Sequence, residues 1–289
     1  MACVVCGGVN SSVWGRLGGF EILRCRSCGV GRTSPAPSAA QLVQANLATY
    51  SAERRAEIYR SRQRDFDDRY SEVLARIRRF RPSGSLLDVG CNIGMFMKAA
   101  RERGYLVTGV ELNHGCAAYG RDKFGLDILP VPLERAGFAA GTFDVATMFD
   151  VLEHVPDPRA LLTAARLALK PGGLLVVQSP NLGSFMAWLM RENWRWLTPL
   201  DHLYHFTPGA ISRLLKDSGF EVARLRTWEP AADFAGNIYS GFPARSFFGR
   251  VLRRGLWLAA RVLVPLLQRS WWSIGRGGLV EVYALKRGG

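Results

Sequence analysis

Ser85-Leu86-Leu87-Asp88-Val89 runs directly into Gly90-Cys91-Asn92-Ile93-Gly94. The first five residues are a short apolar run of the kind buried inside a parallel sheet. The glycines that follow permit a tight turn and let a ligand lie close to the backbone. A helical stretch, Met95 to Arg103, comes next. A second strand, Leu106-Val107-Thr108-Gly109-Val110, then ends in Glu111. Strand, glycine turn, helix and strand, closed by an acid, form one nucleotide-binding half of a doubly wound α/β sheet. The acid at the tip of the second strand can accept both hydroxyls of a ribose.

The details of the turn select among cofactors. It is not G-x-G-x-x-G, so it fits a pyrophosphate poorly, and G-x-x-x-x-G-K-[ST] is absent. Asp88 sits two residues before the first glycine, where a carboxylate repels phosphate. It suits a cofactor that carries an ammonium group and a sulfonium.

At these residues the chain resembles the class I S-adenosylmethionine-dependent methyltransferases, and the likeness continues downstream. Gly141 to Val155, read through Phe143-Asp144-Val145 and Leu152-Glu153-His154, is similar to that family's fourth strand and the loop after it. Leu169-Lys170-Pro171-Gly172-Gly173 is similar to its turn into strand five. His205 to Leu215 and Gly219 to Val222 resemble its last helix and sixth strand, and Leu279 to Lys286 its seventh strand. The resemblance covers residues 40 to 286. It implies a seven-stranded Rossmann-like sheet that binds S-adenosylmethionine. Asp88, Gly90 and Gly94 would line the methionine part, with backbone contact from Cys91 and Asn92. Glu111 would hold the ribose, with Leu112 against the adenine and Leu133 and Glu134 at the adenine edge. Phe149 would flank the cofactor and face the acceptor.

Two subfamilies narrow the expectation. Asp201-His202-Leu203-Tyr204-His205-Phe206 resembles the segment that supplies a base in sugar C-methyltransferases, with His202 the better match. The upstream tyrosine is replaced by Pro199 and Leu200, which favours an oxygen acceptor over carbon. A histidine tying down a loop is the plain alternative for both His202 and His205. Asp150-x-x-Glu153-His154 resembles the loop of ubiquinone-type O-methyltransferases, where two carboxylates and an imidazole can hold Mg²⁺. Widespread use of Glu-His merely to order this turn stands against it. His154 is the second catalytic candidate beside His202.

Ahead of the sheet, Cys3-x2-Cys6 and Cys25-x2-Cys28 supply four thiolates from two knuckles, and glycine follows each pair at Gly7 and Gly29. That spacing predicts a structural zinc ribbon over residues 1–33. The linker Thr33-Ser34-Pro35-Ala36-Pro37-Ser38 follows. Residues 39–81 read as helices, with Ile58, Phe66, Tyr70, Val73, Leu74, Ile77 and Phe80 at helical spacing and an arginine-rich, solvated face. The methyltransferase core is expected over 82–228 plus 279–287, with a basic apolar helical insertion over 229–278. Within it, residues 246–272 read as an interfacial or cap helix. The apolar stretches Met186 to Met190 and Trp194 to Trp196 read as a substrate lid or the floor beneath that cap.

Of 289 residues, 48% are hydrophobic and 21% charged, which excludes a disordered chain. No apolar run is long enough to span a bilayer, and the chain start lacks a signal pattern. A cytoplasmic protein, peripheral at the inner membrane face, is the expectation. The net charge of +14 sits mainly at the two ends, and 33 Arg against 5 Lys also fits a GC-rich genome. The favoured acceptor is a glycan precursor or a lipid-linked small molecule. The alternatives are an RNA methyltransferase reading through the ribbon, although nucleic acid is disfavoured, and a non-catalytic scaffold that binds S-adenosylmethionine.

Overall fold

A computed structural model describes residues 2–38, 40–42, 44, 51–241, 254–255, 258 and 269–288. The chain divides into two compact units. One comprises residues 1–37, 178–214 and 224–282, and the other residues 38–177, 215–223 and 283–289.

The first unit starts with a meander of β1 (Ser11–Leu17), β2 (Phe20–Cys25) and β3 (Gly31–Ser34). All neighbours pair antiparallel, and a fourth strand, which is only Tyr204–His205, pairs with β3. Thr33 and Ser34, expected in a linker, are therefore strand residues. The meander is too small to bury a core of its own. It places Trp14 and Ile22 instead in a cluster with Leu182, Met186, Ala187, Met190, Trp194, Leu197 and Phe234. The stretches read as a lid or floor are thus split. Met186, Met190 and Trp194 are core, whereas Trp188 and Leu189 are exposed. Arg191 stacks over the Trp14 ring at 5.0 Å and donates to the Trp14 carbonyl at 2.9 Å.

The second unit begins with α1 (Ala52–Ser61) and α2 (Gln63–Ile77). β4 (Gly84–Val89), α3 (Met95–Arg101) and β5 (Tyr105–Val110) follow as the sequence predicts. Next come α4 (His114–Phe124) and β6 (Asp127–Leu129), then β7 (Phe143–Phe149) and α5 (Pro158–Ala168). Asn113 caps α4 by accepting the Gly115 and Cys116 N–H groups, each at 3.1 Å. Asp157 caps α5, whose first residue is Pro158, a position where proline's missing N–H costs nothing. Val73, Leu74 and Ile77 of α2 pack with Phe96 and Ala100 of α3 and with Leu86, Tyr105 and Val145 of the strands.

The remaining sheet strands are β8 (Leu169–Pro180), β10 (Phe220–Trp228) and β11 (Leu279–Lys286), with β9 the short Tyr204–His205. The seven-stranded order is β10-β11-β8-β7-β4-β5-β6. β4 lies parallel to both β5 and β7, and β5 parallel to β6. From β4 the chain proceeds to one side through β5 and β6, then returns to β7 on the other side. That reversal creates a crevice at the carboxyl ends of β4 and β7, where open α/β sheets bind ligands. No helix among the described residues is long and apolar enough to cross a membrane. The helix expected over 246–272 lies mostly outside the described residues.

Candidate active site

β4 carries Asp88 to the crevice end of the sheet. Its carboxylate is only 3% exposed and accepts the Thr147 hydroxyl of β7 at 2.7 Å. Burial pushes its pKa up to about 7. The Thr147 hydrogen bond works against that rise, and the negative charge of Glu111 adds to it. Among the described residues no cation is paired with this carboxyl.

Glu111 follows β5. One carboxylate oxygen accepts the Asn92 N–H at 2.8 Å, and the other accepts the Asn113 N–H at 2.8 Å. A carboxylate offers roughly four acceptor positions, so these bonds do not exhaust its capacity. Burial raises the Glu111 pKa, while the Asn113 and Asn92 N–H groups and the charge of Arg55 pull it back.

The turn between these acids is left-handed at Gly90, Asn92 and Gly94, with φ of +70°, +54° and +79°. A Cβ on Gly90 would also lie 2.6 Å from Val151 Cγ2. Glycine is thus demanded there by backbone sign and by packing together. The Cys91 sulfur turns inward, where a Cβ on Gly109 would approach within 2.6 Å of it. The Cys91 N–H donates to the Val110 carbonyl at 3.2 Å, and its carbonyl accepts the Gly94 N–H at 2.9 Å. Leu112 is 62% exposed beside Glu111, an apolar surface with little cover. Leu133 is buried in a single turn, Leu133–Arg135, leaving Glu134 as the exposed member of that pair. The half-buried ring of Phe149 meets Phe96 edge-on at 4.8 Å.

The sequence reading missed the contribution of the helical segment. Arg69 of α2, on the arginine-rich side read as solvated, is half-buried, and Tyr70 packs inward as its spacing predicts. The Arg69 guanidinium lies 3.9 Å from the Asp150 carboxylate. Tyr70 stacks edge-on against Phe96 at 5.5 Å, and burial pushes its hydroxyl up to about 12. Arg55 of α1 is close enough to Glu111 to be felt as charge. Helical spacing marked Tyr70 as apolar-facing, but gave no sign of which strand ends it would approach.

The Mg²⁺ reading needs Asp150, Glu153 and His154 together. Asp150, left-handed at φ +56°, faces Arg69, and it does not join Glu153 and His154 in a ligand cluster among the described residues. Magnesium gains no support from this arrangement. His154 is half-buried, and its N–H closes the turn onto the Val151 carbonyl at 3.0 Å. His202 belongs to the other unit. It is 6% exposed, with Nδ1 3.0 Å from the Trp196 carbonyl.

In that unit the four ribbon cysteines converge, with Cys3–Cys28 and Cys6–Cys25 sulfurs each 3.5 Å apart and all four within 4.8 Å. Tetrahedral zinc with its usual Zn–S bonds needs sulfurs roughly 3.8 Å apart, so the set fits. All four are free thiols rather than disulfides. Burial resists ionisation of Cys25, but the backbone N–H groups of Cys28 and Ser27 win and bring its pKa to about 6. Gly7 and Gly29, both left-handed, close the knuckles onto the Cys3 and Cys25 carbonyls at 2.8 and 2.9 Å.

A methyltransferase-domain family profile matches residues 59–225, which includes every strand from β4 to β8. The chain belongs to the class I S-adenosylmethionine-dependent methyltransferases. It is 37% identical over 171 residues to a ubiquinone biosynthesis O-methyltransferase of Idiomarina loihiensis, covering 56% of this chain and 67% of that protein. A namesake from Psychrobacter arcticus is 35% identical over 149 residues, or 47% of this chain and 58% of its own length. Among solved structures, a methyltransferase of Thermotoga maritima superposes with a TM-score of 0.52 at 18% identity, covering 81% of this chain and 97% of that one. This last likeness shows the fold.

The raised carboxyl in this methyltransferase makes a pH prediction. Asp88 binds a proton in the folded protein up to about pH 7 but loses it near pH 4 when unfolded. The cofactor-free protein should therefore lose stability as pH rises from 4 to 7. Urea melts across that range should show Asp88→Asn with a visibly flatter profile. Equal slopes would mean that Asp88 is not a source of the pH dependence.

Proposed function

We propose that this chain moves the sulfonium methyl of S-adenosylmethionine to an oxygen of a glycan precursor or a lipid-linked small molecule, in preference to carbon. The observation that carries the reading is the pair of buried acids at the sheet crevice. Asp88 offers a desolvated carboxylate to an ammonium group, and Glu111, braced by two backbone N–H groups, retains acceptors for a ribose diol. Gly90, Cys91, Asn92 and Gly94 would present the turn backbone to the methionine portion. Exposed Leu112 would cover the adenine, with Leu133 beneath and Glu134 at its edge.

S-adenosylmethionine supplies a methyl already activated by positive sulfur, so the protein's share is orientation, water exclusion and removal of one proton from the acceptor. His202 is the proposed base. Its Nδ1 faces the Trp196 carbonyl, which can only accept, so Nδ1 carries a proton. His154 is the second candidate for that role. An oxygen acceptor agrees with the names of the O-methyltransferase relatives. Zinc at Cys3, Cys6, Cys25 and Cys28 is proposed as structural, with no ligand position left for chemistry.

Purified protein incubated with methyl-labelled S-adenosylmethionine and whole-cell extract should place label in the lipid or the water-soluble glycan fraction. Asp88→Ala should abolish it. Label in RNA or protein, or none while S-adenosylhomocysteine still binds, would defeat the proposed acceptor class. Elemental analysis should find one zinc per chain, lost in Cys25→Ser together with a lowered melting temperature. A metal-free wild-type protein with unchanged melting would remove zinc from the account.

A further inference from the structure

Tyr70 of α2 carries a hydroxyl that its own unit does not use. The residue lies over the sheet face that β4 and β7 present to α2 and α3. Leu86 pairs with Val145, and Asp88 with Thr147, in the parallel ladder. Strand alternation therefore puts Leu86 and Asp88 on the same face as Val145, Thr147 and Phe149. Leu86 and Val145 pack with Val73, Leu74 and Phe96, which identifies this face as the one under α2 and α3. Phe149 meets Phe96 edge-on at 4.8 Å, and Phe96 meets Tyr70 edge-on at 5.5 Å. The three rings close over the carboxyl end of the face on which Asp88 stands.

Other tyrosines of this unit spend their hydroxyls inside the protein. Tyr59 donates to the Asp67 carboxylate, and Tyr105 to the Arg81 carbonyl. The Tyr70 hydroxyl has no hydrogen-bond partner among the described residues. The charges of Asp88 and Asp150 reach it, yet neither carboxylate accepts from it. A phenylalanine would make the same edge-on contact with Phe96, so packing alone does not account for the oxygen. A half-buried hydroxyl without a partner gives up part of its hydration for nothing, unless a ligand supplies an acceptor.

Its protonation state decides what that ligand group can be. Burial, joined by the charges of Asp88 and Asp150, pushes the hydroxyl up to about 12 against the pull of Arg69 and Arg55. At neutral pH the phenol keeps its proton and acts as a donor. The methionine end of S-adenosylmethionine carries an ammonium group and a carboxylate on the same carbon. An ammonium group received by Asp88 brings that carboxylate to the same strand end, where Asp88 and Asp150 are both negative. A carboxylate arriving there needs a hydrogen-bond donor that carries no negative charge.

We propose that Tyr70 is a cofactor-binding residue, whose hydroxyl donates to the methionine carboxylate of S-adenosylmethionine. This proposal rests on Asp88 receiving the ammonium group. Asp88 and Tyr70 then recognise the two charged groups of one amino acid, one from the sheet and one from the helix above it. The helical segment before the sheet gains a task beyond covering apolar strands.

Isothermal titration calorimetry on the full-length protein tests it with two ligands. S-adenosylhomocysteine has both charged groups, and its decarboxylated analogue keeps only the ammonium. Tyr70→Phe preserves the ring and should bind S-adenosylhomocysteine about tenfold more weakly than wild type. It should bind the analogue as wild type does. Its melting temperature without ligand should not fall, because no internal hydrogen bond is removed. Unchanged S-adenosylhomocysteine affinity, an equal loss for the analogue, or a clear drop in unliganded melting temperature would each overturn the proposal. Asp88→Asn tests the underlying placement separately and should weaken both ligands. If Asp88→Asn weakens both while Tyr70→Phe shows no selective loss, Tyr70 falls and Asp88 stands. If Tyr70→Phe shows the selective loss while Asp88→Asn has no effect, the phenol contact stands and the ammonium group is not at Asp88.

Discussion

A carboxylate buried at the end of a parallel strand carries a cost that the protein alone does not offset. Asp88 has one hydroxyl partner and a second acid, Glu111, close enough to raise its proton affinity further. In an apolar sheet end, such a group either keeps a proton or waits for a cation. The surrounding construction serves that condition. β4 lies between β5 and β7, so the strand order reverses beside it, and the turn that follows is left-handed at Gly90, Asn92 and Gly94. Burial raises Glu111 as well, but backbone N–H groups of Asn113 and Asn92 and the charge of Arg55 pull it back. The two acids therefore differ in setting, Asp88 held by one hydroxyl and Glu111 by backbone N–H groups.

The other unit solves a problem of size. Three short strands and a cysteine cluster cannot bury enough apolar surface to stand alone. The meander contributes Trp14 and Ile22 to a core built mostly from residues 182–197 and Phe234. It also gains a fourth strand from Tyr204–His205. A buried polar network lies in the same unit. Asn237 donates to Glu229 at 3.2 Å, the Arg195 N–H donates to Asn237 at 3.1 Å, and Asp233 lies 3.4 Å from the Arg195 guanidinium. Burial pushes Glu229 up to about 8, and Asp233 adds to that rise. These satisfied contacts fix the helix Ala231–Gly241 relative to the Trp194 segment within the unit.

What was legible in the sequence followed from strict spacing. Short apolar runs with a glycine turn and a terminal acid have few structural solutions, so β4, β5 and the places of Asp88 and Glu111 at their ends could be read directly. Two CxxC pairs are similarly restrictive, and the cysteines converge as their spacing implies. What was not legible depended on approach between distant segments. Amphipathic spacing told that Tyr70 faces inward, but not that its neighbour Arg69 would meet Asp150. Thr33 looked like the start of a proline-bounded linker, because a hydroxyl residue before Ser34-Pro35 carries no periodic signal. It is a strand residue because it pairs with Ile22 of β2, while its N–H reaches the Leu203 carbonyl in a segment 170 residues away. The magnesium reading failed to gain ground for a related reason. Spacing along a loop does not say which way a left-handed Asp150 will turn.

The central claim is that Asp88 exists to meet a positive group of the cofactor. Calorimetry of S-adenosylhomocysteine binding at pH 6.5, repeated in buffers of different ionisation enthalpy, tests it most directly. At that pH Asp88 is largely protonated in the free protein, and an arriving ammonium group should expel the proton. The account predicts net proton release for wild type and markedly less for Asp88→Asn. Equal proton release in both proteins, or none in wild type, would contradict it.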